Sequence, residues 1–110
     1  MNKHKNLTNS CGVSDEARQD AEALFLLGTR RLESGMHAEA IACLQEALQL
    51  NPQYAEAHAN LALAYEKQGA MAQAESHYRQ ALERHPNLAT GASNYANFLL
   101  AQKRFVEAEY

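Results

Sequence analysis

The chain has 110 residues, of which 21% are charged and 46% hydrophobic, and its net charge at pH 7 is −3. That balance argues against nucleic acid as a partner, because there is no basic surplus to displace phosphate counterions. No stretch approaches the about 18 consecutive apolar residues of a membrane span, and two cysteines outside any C-x-x-C spacing point to a reducing, cytoplasmic setting.

Residues 1–13, MNKHKNLTNSCGV, carry Lys3 and Lys5 and no acid. They lack the apolar core that follows the basic start of a secretory signal and read as a disordered polar arm. Cys11 lacks the apolar run that should precede a lipid-attachment cysteine and reads as a bystander. Ser14 is a good N-cap, with Asp15 and Glu16 in the first turn, where negative charge suits the helix dipole. The spacing predicts a helix from there to about Ser34, its charged opening DEARQD serving as a solvated cap. Within it Leu24 and Leu27 form an inward pair, and Phe25 and Leu26 point to the other side.

From Ala21 the chain repeats. Sliding it by 34 residues lays 21–54 over 55–88 with ten identities, among them Leu27/Leu61, Gly35/Gly69, Ala40/Ala74, Ala47/Ala81 and Pro52/Pro86. A third copy opens at Ala89 and reaches Tyr110, 22 of its 34 positions. A period of this size is the mark of a repeat solenoid. In the second copy His58, Leu61, Ala62 and Tyr65 fall at i, i+3, i+4, i+7, and Ala74, Tyr78, Ala81 and Leu82 line a second helix. Gly69 separates the two, and Pro86 ends the second. Each unit is therefore two antiparallel helices, A and B, with Ala62, Ala74 and Ala81 allowing close approach.

These positions resemble the tetratricopeptide repeat family: Leu61, Ala62, Tyr65, Gly69, Ala74, Tyr78, Ala81 and Pro86 fit its pattern, as do Leu24, Leu27, Gly28, Gly35, Ala40, Leu44, Ala47 and Pro52. The family's Trp at repeat position 4 is absent; His58 and Ala92 stand there, Arg31 replaces an aromatic, and Lys103 replaces the third Gly. The resemblance implies an all-α, right-handed superhelical stack, the TPR solenoid, over residues 14–110, with two full repeats and an incomplete third at 89–110. Helix B of that third repeat is expected to start near Lys103 or Arg104, leaving Phe98, Leu99 and Phe105 without cover. The chain would then be a piece of a longer protein, or two chains would cover each other as a homodimer.

In this family the concave face is lined by helix A residues at repeat positions 2, 5, 6, 9, 12 and 13. Here they are Glu22, Phe25, Leu26, Thr29, Leu32 and Glu33; Glu56, Ala59, Asn60, Leu63, Glu66 and Lys67; and Thr90, Ser93, Asn94, Asn97, Leu100 and Ala101. Together they imply a groove with an apolar floor, an amide row and a rim of four glutamates against one lysine. Phe25 and Leu26 are open to three readings: covered by the arm or a neighbouring helix, an anchor for a bound peptide, or a dimer contact. Members that grip chaperone tails use a basic and amide clamp, and only Asn60 fits it, so such docking is not expected. Asn60 and Asn94 share position 6 and resemble the asparagine ladder of repeat arrays attached to sugar transferases, where each amide offers a donor and an acceptor to an extended peptide. Repeat duplication alone accounts for them equally. The run SNYANFLLAQKRFVEAE also resembles repeats of bacterial pilus-assembly proteins.

No catalytic constellation, cofactor motif or metal spacing emerges. The histidines lack a helical i, i+4 pairing, Cys43 and His77 share position 23 but are too few for a metal, and the glycines form no phosphate loop. The expected function is a non-enzymatic module, adaptor or scaffold, that binds a peptide or helix of a partner protein. The alternatives are a substrate-recruiting segment of a larger enzyme such as a glycosyltransferase, and a self-associating scaffold.

Overall fold

Five helices make up the regular structure of residues 15–108, the part that this computed structural model describes, with side chains from 16 to 103. They are α1 (Asp15–Glu33), α2 (His37–Leu50), α3 (Ala55–Lys67), α4 (Met71–Arg84) and α5 (Ala89–Ala108), and no strand occurs among the described residues. The arm at residues 1–13 with Cys11, the side chain of Phe105, and Tyr110 lie outside them. No described helix is long and apolar enough to cross a membrane. The result is an all-α tetratricopeptide-like solenoid in which α1 pairs with α2, α3 with α4, and each helix B packs on the next helix A.

The turns recur at the repeat period because the same residues dictate them. Gly35 and Gly69 have φ of +82° and +83°, the left-handed region in which a Cβ is strained. The Gly35 and Gly69 N–H groups donate to Leu32 and Glu66 carbonyls at 3.1 and 3.0 Å, and Met36 and Ala70 reach back to Arg31 and Tyr65 at 2.8 and 2.9 Å. These are Schellman closures, which satisfy the last carbonyls of helix A without a side-chain cap. At the other end Pro52 and Pro86 sit second in turns closed by Tyr54 N–H to Asn51 O and Leu88 N–H to His85 O, at 3.1 and 3.0 Å. Proline's fixed φ suits that place.

The core follows from which neighbour each helix A position faces. Positions 3, 7 and 10 meet the preceding helix B: Ala57 and Leu61 cluster with Leu44, and Phe98 clusters with Ala74 and Tyr78. Positions 4 and 8 meet the helix B of their own repeat, as His58 meets His77 and Ala62 meets Ala74. Two expectations are corrected by this rule. Leu27, at position 7, has no preceding helix among the described residues and is 38% exposed where Leu61 is 1% exposed, so it is not an inward partner of Leu24. Phe98, at position 10, is buried against the second repeat rather than uncovered, whereas Leu99 is exposed as expected.

The third repeat also differs. Helix α5 runs unbroken through Lys103 to Ala108, with no helix B starting near 103 or 104. Lys, Arg, Glu and Ala are good helix formers, and with no glycine to take a left-handed φ the chain continues the helix instead of turning.

Gly28 permits the closest approach within the first pair. A Cβ there would lie 2.8 Å from Leu44 Cγ and 3.2 Å from Cys43 Cβ. Overpacking of about 1–3 kcal/mol outweighs the roughly 1 kcal/mol that alanine gains in helix propensity. Gly28→Ala is therefore expected to lower the urea midpoint with an unchanged m-value; a raised midpoint would show that Leu44 gives way freely.

Candidate peptide-binding groove

Helices α1, α3 and α5 lie side by side, α3 touching both others, so their outward positions form one continuous face. At its centre Asn60 Nδ2 donates to Thr29 Oγ1 at 2.9 Å, and Thr29 Oγ1 donates to the Phe25 carbonyl at 2.8 Å. This couples α3 to α1 across the repeat boundary. In the next repeat the place of Thr29 is taken by Leu63, whose side chain offers no acceptor to an amide such as that of Asn94. Asn94 is half-buried and makes no hydrogen bond with a described residue, so both ends of its amide are free. Thr29 and Leu63 are half-buried, and Glu22, Glu56, Lys67, Ser93 and Asn97 are exposed on the same face. Leu26 is 59% exposed.

Position 5 does not belong to an open floor. Ala59 is buried with Ala55, Ala81 and Leu88, and in the first repeat Phe25 packs against Tyr54, the counterpart of Leu88, with ring centres 5.0 Å apart. Position 5 thus faces the start of the next repeat, and Phe25 is half-buried rather than a free anchor. Burial pushes the Tyr54 hydroxyl up to about 12, helped by the negative fields of Glu56 and Glu22. The rim is also smaller than expected. Glu66 accepts a hydrogen bond from the Tyr78 hydroxyl at 2.8 Å and is turned toward α4, which leaves Glu22, Glu33 and Glu56 against Lys67. None of these four makes an ion pair with a described residue.

Family models of the TPR repeat match residues 28–69, and those of the tetratricopeptide repeat match 55–88 and 72–110. The chain belongs to the tetratricopeptide repeat family. No curated protein matches it. Among solved structures it is similar to Pseudomonas aeruginosa pilF, with 33% identity, a TM-score of 0.78 and 86% of this chain covered. It spans only 42% of that chain. It is also similar to the first TPR of Spaghetti (RPAP3) bound to the HSP90 peptide SRMEEVD, at 25% identity and a TM-score of 0.74, covering 83% of this chain and 74% of that one. MamA, at 24% identity and a TM-score of 0.62, covers 83% of this chain and 62% of its own, and shares the fold.

One polar feature of this TPR chain escapes a reading of spacings. His58 Nδ1 and His77 Nδ1 are 3.0 Å apart across the second helix pair, with ring centres 5.2 Å apart. The centres are farther apart than the nitrogens by about two ring radii, so the two nitrogens point at each other. One must donate and the other accept, and the pair is neutral with a single proton between the rings. Burial, then His77 and Arg84, lower His58 to about 4, and burial and Arg84 lower His77. Nitrogens aimed head-on do not converge on a metal, and no group of three metal-ligating side chains occurs among the described residues. His58 holds repeat position 4, the family's Trp position. Comparing positions 4 and 23 within one repeat, instead of position 23 across repeats, would have found the pair.

Proposed function

We propose that this chain is a protein-interaction module, with an adaptor or scaffold role, that holds an extended segment of a partner protein against α1, α3 and α5. The observation that carries the reading is Asn94: a half-buried amide with no hydrogen bond to a described residue is a donor and an acceptor waiting for a peptide backbone. The likeness to a TPR bound to a peptide supports a peptide as the kind of occupant. Asn60 plays a lesser part, because Thr29 already engages its amide. The asparagine-ladder likeness to arrays of sugar transferases therefore rests on Asn94 alone.

A photo-crosslinking residue placed at Asn94, and separately at Gln49 on α2, tests the reading in the source cell. Crosslinks to one partner protein from position 94 and not from 49 are expected. With that partner purified, Asn94→Ala should weaken binding about tenfold, the worth of one or two hydrogen bonds in a dry site, and Asn60→Ala less. Equal crosslinking from α2, or unchanged affinity in the Asn60→Ala/Asn94→Ala double variant with helicity intact, would remove the groove from the mechanism.

A further inference from the structure

The exposed leucines of the described residues all lie on the two end helices, Leu26 and Leu27 on α1 and Leu99 and Leu100 on α5. Each pair closes the same local run, ALFLL at 23–27 and ANFLL at 96–100, although the two runs hold different repeat positions. A solenoid normally ends in polar faces. Here positions 3, 7 and 10 of α1, which in later repeats meet the preceding helix B, leave Ala23, Leu27 and Arg30 exposed. Positions 4, 8 and 11 of α5, which in earlier repeats meet their own helix B, leave Ala92, Ala96 and Leu99 exposed. Each face is shaped for one antiparallel helix, and none of the described helices packs there.

The two faces complement each other. Laid antiparallel, α5 of one copy and α1 of the next put Leu99 over Ala23 and Leu27 over Ala96, large against small in one register. The same register sets Lys103 beside Asp20, both exposed and neither ion-paired with a described residue. A parallel arrangement would set Lys103 beside Arg30 instead. Arg18 stands about 160° around α1 from Asp20, on the side away from this face. Arg30 falls over Ala92 and Ser93, where its stem covers apolar surface and its charge reaches water. Like pairing does less: α1 on α1 leaves Leu99 and Leu100 exposed, and α5 on α5 brings no acid to Lys103, since residues 89–103 contain none. The five helices alternate in direction, so an antiparallel join of α5 to α1 carries the alternation from one copy into the next. We propose that this chain associates with further copies of itself end to end, α5 of one against α1 of the next. The contact is heterologous, so it closes copies into a ring or runs on into a filament. It does not rest on the groove, because Leu27 and Leu99 hold positions 7 and 11, off the groove stripe. One helix on one helix buries less than the about 1,600 Å² of a standard interface, so the association is weak, with a dissociation constant of about 0.1 mM.

The test is sedimentation equilibrium of the full chain, from about tenfold below that constant to about tenfold above it. The average mass should rise with concentration to that of two chains or more. Leu27→Glu and Leu99→Glu, both at exposed helix positions and checked for helicity by circular dichroism, should each weaken association at least about tenfold, because each buries an unpaired charge in the contact. Mixed in equal amounts, the two variants should form a one-to-one pair and stop there, since one keeps a working α5 face and the other a working α1 face. A charge exchange leaves the apolar contact whole: Asp20→Lys and Lys103→Asp should each weaken association about three- to fivefold, the worth of a surface ion pair, and together restore it. A parent chain that stays monomeric, a variant of either leucine that associates like the parent, or a mixture that forms no pair would overturn the proposal. An exchange in which the double variant is no tighter than the singles would overturn the antiparallel register.

Discussion

Tyr78→Ala is expected to lower the unfolding free energy by about 3–5 kcal/mol, the range for losing a large buried aromatic. The ring is fully buried and is the hinge point between repeats: it packs with Ala62 and Ala74 of its own pair and with Phe98 of α5. Its centre lies 5.6 Å from Tyr95 and 5.5 Å from Phe98, tilted or offset arrangements that add to simple area burial. Because α5 has no helix beyond it among the described residues, these rings are its main attachment. In a linear array each unit is held by its neighbour interface. The loss should therefore appear first as undocking of α5.

Tyr78→Phe separates packing from the hydroxyl. It keeps the ring and deletes only the 2.8 Å hydrogen bond to Glu66, a half-buried carboxylate that water can reach again. About 1 kcal/mol is expected. Urea unfolding followed by circular dichroism would rank the three proteins. A phenylalanine variant as damaged as the alanine one would show that the hydrogen bond, not the ring, joins the repeats. A loss below about 1.5 kcal/mol in Tyr78→Ala would show that α5 is docked by other contacts, since that is less than burying one such side chain contributes.

How far the sequence could be read follows from where each constraint resides. Gly35, Gly69, Pro52 and Pro86 each restrict their own backbone, so the turns were visible residue by residue. The same holds for the alanines at Ala62, Ala74 and Ala81, whose spacing alone marks close helix approach. What could not be read is what stands across from a side chain. Leu27 and Leu61 are the same residue at the same repeat position, yet one is exposed and the other buried because, among the described residues, only one has a helix before it. Ala59 and Glu66 fell on the groove stripe by angle, but Ala59 is closed over by Leu88 and Glu66 is drawn to Tyr78. At Lys103 the family pattern asked for a turn that the local residues do not support, and local preference prevailed. The groove residues Asn60 and Asn94 looked equivalent for the same reason. Their difference lies in Thr29 and Leu63, one helix away.

Lowering the pH from 7 toward 4 is expected to weaken the second repeat through His58 and His77. Both are held below the ordinary histidine value of 6.5, His58 at about 4. Above 6.5 folded and unfolded chains are alike neutral at these sites. Between 6.5 and about 4 the unfolded chain takes up protons that the folded pair refuses, so stability falls as pH falls, and the loss from His58 levels off once it protonates in the folded state. At 1.36 kcal/mol per unit, less a discount for solvent screening, His58 accounts for about 2–3 kcal/mol across the window. A second proton would also break the 3.0 Å nitrogen contact and set two cations beside Arg84, whose Nε is fixed on the Pro52 carbonyl at 3.0 Å. Carboxylates titrate near the lower end, so the comparison needs a variant without the pair. The first repeat provides its design: Leu24 and Cys43 hold the same two positions, and His58→Leu with His77→Cys copies them. Urea midpoints taken from pH 7 to 4.5 should slope downward in the parent chain and run nearly flat above pH 5 in the variant. Parallel slopes would mean that the pair is not the source. A flat variant would make the central repeat, which supplies Asn60 and Leu63 to the groove, the part of the solenoid that acid loosens first.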